Sequence, residues 1–124
     1  MPTAITIEIG KVTLKAELND GASARSFLEL LPKQVSLSRW GDEYYGNCGI
    51  NVQESPDARE DMKVGELALW PPGSALCIFF GPTPASRGRE PRAASPVNPI
   101  GRLLDDPAPL KALGPSIRVK VARA

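Results

Sequence analysis

The stretch from residue 65 to residue 84, GELALWPPGSALCIFFGPTP, predicts two apolar strands joined by a tight turn. The first strand ends at Trp70, and the second is the almost wholly apolar run over residues 75–80. Proline holds φ at about −65° and glycine accepts positive φ, so Pro72-Gly73 is typical of a type II turn. A short apolar run bounded by glycine and proline is typical of a strand covered on both faces. We therefore expect the remaining strands to assemble around this hairpin.

The rest of the chain alternates apolar and polar residues in short runs, which predicts further strands. These runs cover residues 5–9, 12–18, 35–40, 43–45, 50–52, 100–104 and 117–121. One apolar stripe predicts a short helix over residues 24–31, capped by Ser23 and ended by Pro32, and residues 110–113 allow one more helical turn. A sheet of many short strands favours closure into a barrel, because a closed barrel has no exposed edge strands. The sequence thus predicts one mainly β domain over residues 1–124, a closed β-barrel with one or two short helices.

Two polar segments predict loops. Residues 54–63, ESPDAREDMK, are charged and are typical of a surface loop. Residues 81–99 contain five prolines and three arginines, which argues against a helix and predicts a long, stiff loop. A loop of this length is either a surface excursion or a lid over a site, and both interpretations stay open here.

Composition excludes several kinds of function. The 124 residues carry a net charge of +1, so we expect no nucleic-acid partner and no membrane partner. The chain has no histidine, which excludes a Ser-His-Asp device and any imidazole metal site, and we expect no metal and no cofactor. The first residues carry no secretory pattern, and Cys48 and Cys77 sit in unlike contexts, so we expect reduced thiols and a cytoplasmic location.

Three separated motifs carry a family resemblance. They are WGDE at residues 40–43, ALWPPG at residues 68–73 and SPVNPIG at residues 95–101. With the order of predicted strands, they make nearly the whole chain resemble the small prokaryotic cyclophilin-like families of uncertain function. The resemblance implies a cyclophilin-like barrel, distantly related to the peptidyl-prolyl isomerases.

The chain departs from the isomerases where their activity resides. Those enzymes use an arginine in a Phe-His-Arg strand, backed by a Gln-Gly-Gly-Asp segment. Here Ser38-Arg39-Trp40 is the segment nearest to the first motif, and no segment of the chain resembles the second. The ligand-facing tryptophan and histidine of those enzymes have no counterpart in residues 81–99. Arg39 is therefore the nearest candidate for the catalytic arginine.

We expect a ligand cleft at the barrel mouth, between Trp40, the central hairpin and the proline-rich loop. Trp40 lies at a strand end, where an aromatic ring often walls a pocket. Arg39 shares its face with apolar residues and so requires a carboxylate, Asp42 or Glu43, or a ligand. The candidate ligand-binding residues are Arg39, Trp40, Tyr44, Trp70, Phe79, Ser95 and Asn98.

Several of these candidates have a structural alternative. The core is the favoured alternative for Phe79, and a side chain that fixes the loop is the favoured alternative for Asn98. Tyr44 and Tyr45 point to opposite faces of a strand, so at most one of them lines the interior. Asp42 and Glu43 are adjacent, which favours a solvated rim over a paired acid and base.

Binding of a small molecule or short peptide is the function that these residues favour. Prolyl isomerisation is the first alternative, because it needs only an apolar pocket and one hydrogen-bond donor. Hydrolysis of a small amide is a weaker alternative, since histidine and clustered carboxylates are both missing. An interaction module without a ligand, such as a homodimer, also stays open.

Overall fold

Nine β-strands form the protein, in a computed structural model that describes residues 2–124. The strands are β1 (Thr3–Ile9), β2 (Val12–Leu18), β3 (Lys33–Arg39), β4 (Glu43–Asn47), β5 (Arg59–Asp61), β6 (Glu66–Trp70), β7 (Ala75–Phe79), β8 (Arg92–Leu103) and β9 (Ser116–Arg123). One α-helix, α1 (Ala22–Leu28), joins β2 to β3, and 3₁₀ turns occupy Pro71–Gly73 and Ala108–Ala112. The mainly β prediction with one or two short helices is confirmed.

Eight of the strands close into an antiparallel barrel. Their order is β2-β1-β9-β3-β4-β7-β6-β8, and β8 pairs back onto β2 through Ala16 opposite Leu103. The ninth strand, β5, pairs with the first half of β8 outside this ring. The prediction of a closed barrel is therefore confirmed, and β5 with the first half of β8 adds a flap to its outer surface.

The barrel interior is filled by the inward-facing side chains of alternating positions. β1 contributes Ile5, Ile7 and Ile9, and the other strands contribute mostly leucine, isoleucine and valine. Helix α1 adds Ala24 and Phe27 to the same core. Burial of apolar surface on this scale is the main stabilising term of such a fold.

A second apolar cluster lies on the outer face of the central hairpin. It contains Met62, Ala68, Cys77, Phe79, Ala93 and Val97, with Tyr45 and Trp70 packed against it. Met62, Ala93 and Val97 come from the flap, and the other cluster members come from β4, β6 and β7. Every residue of β7 is buried, so the prediction of a strand covered on both faces is confirmed.

Two local predictions were wrong in their details. The helix begins at Ala22 after Gly21, so Ser23 lies inside the helix, where its hydroxyl accepts a hydrogen bond from Asn98 instead of capping. The turn of the central hairpin is a 3₁₀ turn, and the left-handed residue is Ser74 with φ of 49°. Gly73 is required for a different reason, because a methyl group there would lie 2.6 Å from Cε3 of Trp70.

The predicted loop over residues 81–99 is also wrong in its second half. β8 starts at Arg92, although it contains Pro96 and Pro99. Pro99 lies opposite Ala68, beside a register shift in the β6–β8 pairing, and such an irregularity tolerates a residue without an N–H. The predicted short strand at residues 50–52 does not form, and a short strand, β5, replaces part of the predicted surface loop.

Candidate functional site

An apolar pocket of about 250 Å³ lies on the outer surface of the barrel. It is bounded by the outer faces of β4 and β6 and by the first half of β8. Its lining residues are Trp40, Glu43, Tyr45, Trp70, Ala93, Ala94 and Val97. The sequence predicts a cleft at the barrel mouth, whereas this recess lies on the outer face, where the flap folds over the hairpin. We call this the outer-face pocket.

The Trp70 wall of the pocket is held in place on two sides. Its indole N–H donates a hydrogen bond of 2.6 Å to Oγ of Ser95 on β8. Gly73 leaves the space that one edge of the ring occupies, since an alanine there would clash with it. The ring therefore cannot swing freely, and the pocket keeps its shape without a ligand.

The opposite wall stands on a tight turn that joins β3 to β4. The N–H of Trp40 donates to the Glu43 carbonyl at 2.8 Å, and the N–H of Glu43 donates to the Trp40 carbonyl at 3.2 Å. Gly41 has φ of +61°, and a methyl group on it would lie 2.9 Å from Cα of Thr83. The Asp42 N–H donates to the Pro82 carbonyl at 2.9 Å. These contacts fix Trp40 and Glu43 relative to each other.

Glu43 is the one acidic side chain that lines the outer-face pocket. It is only 5% exposed, and among residues 2–124 its Oε1 atom finds no hydrogen-bond partner. Burial raises the pKa of its carboxyl to about 7, against a smaller opposing effect of a hydrogen bond from the Cys77 thiol. A buried polar atom without a partner is rare in folded proteins and calls for an explanation.

The floor beneath Glu43 consists of the second apolar cluster. Cys77 and Phe79 are fully buried there, on the outward side of β7. Burial, reinforced by the neighbouring Glu43, raises the pKa of the Cys77 thiol well above its usual range. Cys77 is therefore a neutral, unreactive thiol, and Phe79 supports the pocket without lining it.

Arg39 lies at the end of the barrel and contributes nothing to the pocket lining. Its guanidinium donates to the carbonyls of Gly41, Lys111 and Leu113 at 2.9 to 3.1 Å and pairs with Asp42 at 2.9 Å. It also stacks over the Phe80 ring at 5.1 Å. The salt-bridge alternative given for Arg39 therefore matches its contacts, and four of its five N–H groups have partners.

The remaining candidates also serve the fold. Tyr44 is fully buried in the inner core, and its hydroxyl donates to the Gly114 carbonyl at 2.6 Å. Asn98 is fully buried and binds the Ser55 N–H, the Gln53 carbonyl and the Ser23 hydroxyl. Of the seven predicted residues, Trp40 and Trp70 line the pocket and Ser95 orients one of them; the other four lie elsewhere.

Sequence reasoning missed most of the lining. The sequence predicts a solvated rim position for Glu43 and gives Tyr45 no place among the candidate ligand-binding residues, and it offers no signal at Ala93, Ala94 or Val97. One signal was available. Glu43 and Tyr45 lie on the same face of β4, and β4 pairs with β7, a strand that the sequence predicts to be covered on both faces. A carboxylate on a covered face is buried, and buried carboxylates often mark functional sites.

Other kinds of site find little support in the described structure. Residues 2–124 include no group of three or more Cys, Asp or Glu side chains that could hold a metal ion. Over the same residues, no helix is both long enough and apolar enough to cross a bilayer.

Comparison with known proteins gives a consistent relationship. The family model described as Cyclophilin-like matches residues 3–122. The solution structure of a hypothetical protein from Archaeoglobus fulgidus is similar, with 31% sequence identity and a TM-score of 0.82. That match covers 99% of this chain and 95% of the archaeal chain. No curated protein matches this sequence.

Proposed function

Because this chain belongs to the Cyclophilin-like family, we propose that it binds a small molecule or short peptide in the outer-face pocket. The observation that carries the proposal is the pocket itself, an apolar recess of about 250 Å³ between the rings of Trp40, Tyr45 and Trp70. Ligand sites are usually concave and apolar with a few placed polar groups, and this recess approaches the size of the smaller ones. Glu43 supplies the polar group.

Rigid walls support the same proposal. The Trp70–Ser95 hydrogen bond and the turn from Trp40 to Glu43 hold both sides of the pocket before a ligand arrives. A site that is already ordered spends less conformational entropy on binding.

The alternative activities receive less support from the geometry. Prolyl isomerisation needs a hydrogen-bond donor beside the pocket, but the guanidinium of Arg39 is bound to carbonyls at the barrel end. Amide hydrolysis needs an activated nucleophile, whereas the thiol of Cys77 is neutral and fully buried. A homodimer without a ligand, a cytoplasmic location and the lack of a nucleic-acid partner stay predictions.

A fragment screen by thermal shift tests the proposal. A fragment present at about 100 times its Kd stabilises the folded chain by about 2.7 kcal/mol, which a melting curve resolves readily. Ala94→Trp should abolish this stabilisation, because Ala94 lines the pocket near its opening and the indole would fill the recess. Trp40→Ala should weaken it by removing one wall.

Ala4→Trp is the matched control for the filled pocket. Ala4 is exposed on β1, on the far side of the closed sheet order from β4 and β6. This variant should keep the full fragment response. Fragments that stabilise Ala94→Trp as strongly as the unaltered chain would place the binding surface elsewhere and reject the proposed pocket.

A further inference from the structure

We propose that the occupant of the outer-face pocket is an organic ammonium ion, a protonated aliphatic amine that donates an N–H to the carboxyl group of Glu43. This inference rests on the proposed function and names the chemical class of its ligand. The alkyl part of the amine would lie against the indole rings of Trp40 and Trp70.

The unpaired oxygen of Glu43 is the first argument. A carboxyl group that is 5% exposed has lost nearly all of its hydration, and its Oε1 gains no protein donor in return within residues 2–124. Leaving a buried acceptor unpaired costs free energy, more for a charged group than for a neutral one. A ligand N–H that reaches this carboxyl group from the pocket would offset that cost, so the site favours a donor over an acceptor.

The charges around the pocket point to a cationic donor. Arginine side chains near the site are already neutralised, Arg39 by Asp42 and Arg92 by Glu60 and Asp61. No ion pair among the described residues includes Glu43. A neutral donor would satisfy the hydrogen bond of Oε1 but not the negative charge, whereas an ammonium ion satisfies both.

The aromatic walls are the second, independent argument. Trp40, Tyr45 and Trp70 all line the same recess as Glu43. The face of an aromatic ring attracts cations, most strongly in tryptophan, and several rings around one carboxylate suit an alkylammonium group. The same rings accept the apolar substituents of the amine, so one ligand class fits every part of the lining.

A series of isosteric probes tests the inference. Cyclohexylammonium, cyclohexanol and cyclohexanecarboxylate are titrated into the full chain while the emission of its two tryptophans is followed. The solution is held at about pH 8.5, above the pKa of Glu43 and below that of an aliphatic amine. We expect the ammonium ion to bind at least about tenfold more tightly than the alcohol, and the carboxylate to bind worst.

Glu43→Gln should reduce this preference to within about twofold, because the amide keeps the shape but not the charge. Glu8→Gln makes the same change at an exposed position of β1 and should leave the preference intact. Glu43→Asp keeps the charge on a shorter side chain and should retain a weaker preference, which covers the case that Glu43→Gln fails to fold. Circular dichroism checks the fold of each variant.

Three results would overturn the inference. Equal binding of the alcohol and the ammonium ion would remove the cationic preference while leaving the proposed apolar pocket supported. A preference that persists in Glu43→Gln would assign the recognition of charge to another group. Binding of none of the probes would reject the ammonium ligand, and the proposed function would then be judged by the fragment screen with Ala94→Trp.

Discussion

Two regions flank the turn that joins β3 to β4, and each contains a charged side chain that the chain partly buries. At the barrel end, Arg39 donates hydrogen bonds to three carbonyls and to Asp42 and stacks over Phe80. On the outer face, four residues further along, Glu43 is almost fully buried with an oxygen that has no partner in residues 2–124. Four N–H groups of Arg39 thus have partners within residues 2–124, whereas Oε1 of Glu43 has none there.

This difference distinguishes a buried charged group that stabilises the fold from one that is available to a ligand. A charge whose partners all come from the chain stabilises one arrangement, as Arg39 does for the segment around Leu113. A buried carboxyl group with an unpaired oxygen destabilises the fold, and such groups often mark functional sites. We therefore propose the ligand site at Glu43, although the sequence resemblance favours Arg39.

The largest expected effect comes from Tyr44 and Tyr45, which are neighbours on opposite faces of β4. Tyr44→Ala opens a cavity in the inner core and breaks the bond to Gly114, so it should cost about 3–5 kcal/mol of unfolding free energy. Tyr45→Ala removes a partly buried ring and should cost about 1 kcal/mol or less while weakening probe binding. Urea denaturation measures both, and equal losses would contradict the division between the two faces.

The pH dependence of stability comes next in size. The Glu43 carboxyl has a pKa of about 7 in the folded chain and an ordinary value of 4.5 when exposed by unfolding. Between these values the folded state holds a proton that the unfolded state has lost. Stability should therefore be greatest below about pH 4.5 for this group, fall as the pH rises to about 7, and lose about 3 kcal/mol in total.

The lack of histidine simplifies the assignment of this pH dependence to Glu43. No imidazole titrates in the same pH window, because the sequence has no histidine. Urea denaturation at about pH 5 and about pH 8 measures the difference, and Glu43→Gln should remove most of it. A profile that is identical in the variant would show that Glu43 ionises normally and is not buried as described.

Substitution of Arg39 should produce a smaller loss, confined to stability. Arg39→Ala removes several hydrogen bonds from a partly exposed site and should cost on the order of 2 kcal/mol. Arg39→Lys should recover little of this, because lysine lacks the planar fork that reaches several carbonyls. Probe binding in the outer-face pocket should stay unchanged in both. Loss of binding without loss of stability would move the site to the barrel end.

The smallest effect is expected at Ser95. Ser95→Ala breaks the hydrogen bond to the Trp70 indole and should cost about 1 kcal/mol. The freed ring should move more, which weakens probe binding and shifts the tryptophan emission. Ser26→Ala, at an exposed position of α1, is the matched control and should change neither. Unchanged emission in Ser95→Ala would mean that the Ser95 hydrogen bond does not fix the orientation of the Trp70 ring.

Much of the barrel was predictable because its information is local. Alternation over residues 5–9 and 12–18 gives the first hairpin, and the apolar run after Ser74 gives β7. The parity of Arg39 with its apolar neighbours correctly placed it on the inner side of β3, where it covers the rings of the barrel end. Each of these inferences depends on residues that lie close together in sequence.

The pocket was not predictable because its information is long-range. Glu43 and Tyr45 belong to β4, while Ala93 and Val97 come from a strand some fifty residues later. The prolines of β8 concealed that strand, since Pro99 sits beside an irregularity in the pairing. When β8 is not predicted, the outer face of β4 is expected to face water, and the Glu43 carboxylate is then expected to be solvated.

Proton–nitrogen NMR during a titration with cyclohexylammonium tests most directly whether the ligand binds at the outer face or at the barrel end. The chain has two indole N–H groups, those of Trp40 and Trp70, and the Nε–H of Arg39 reports on the barrel end. We predict that both indole signals shift with a common Kd while the Arg39 signal stays in place. A shifting Arg39 signal with stationary indoles would contradict the assignment of function to the outer face.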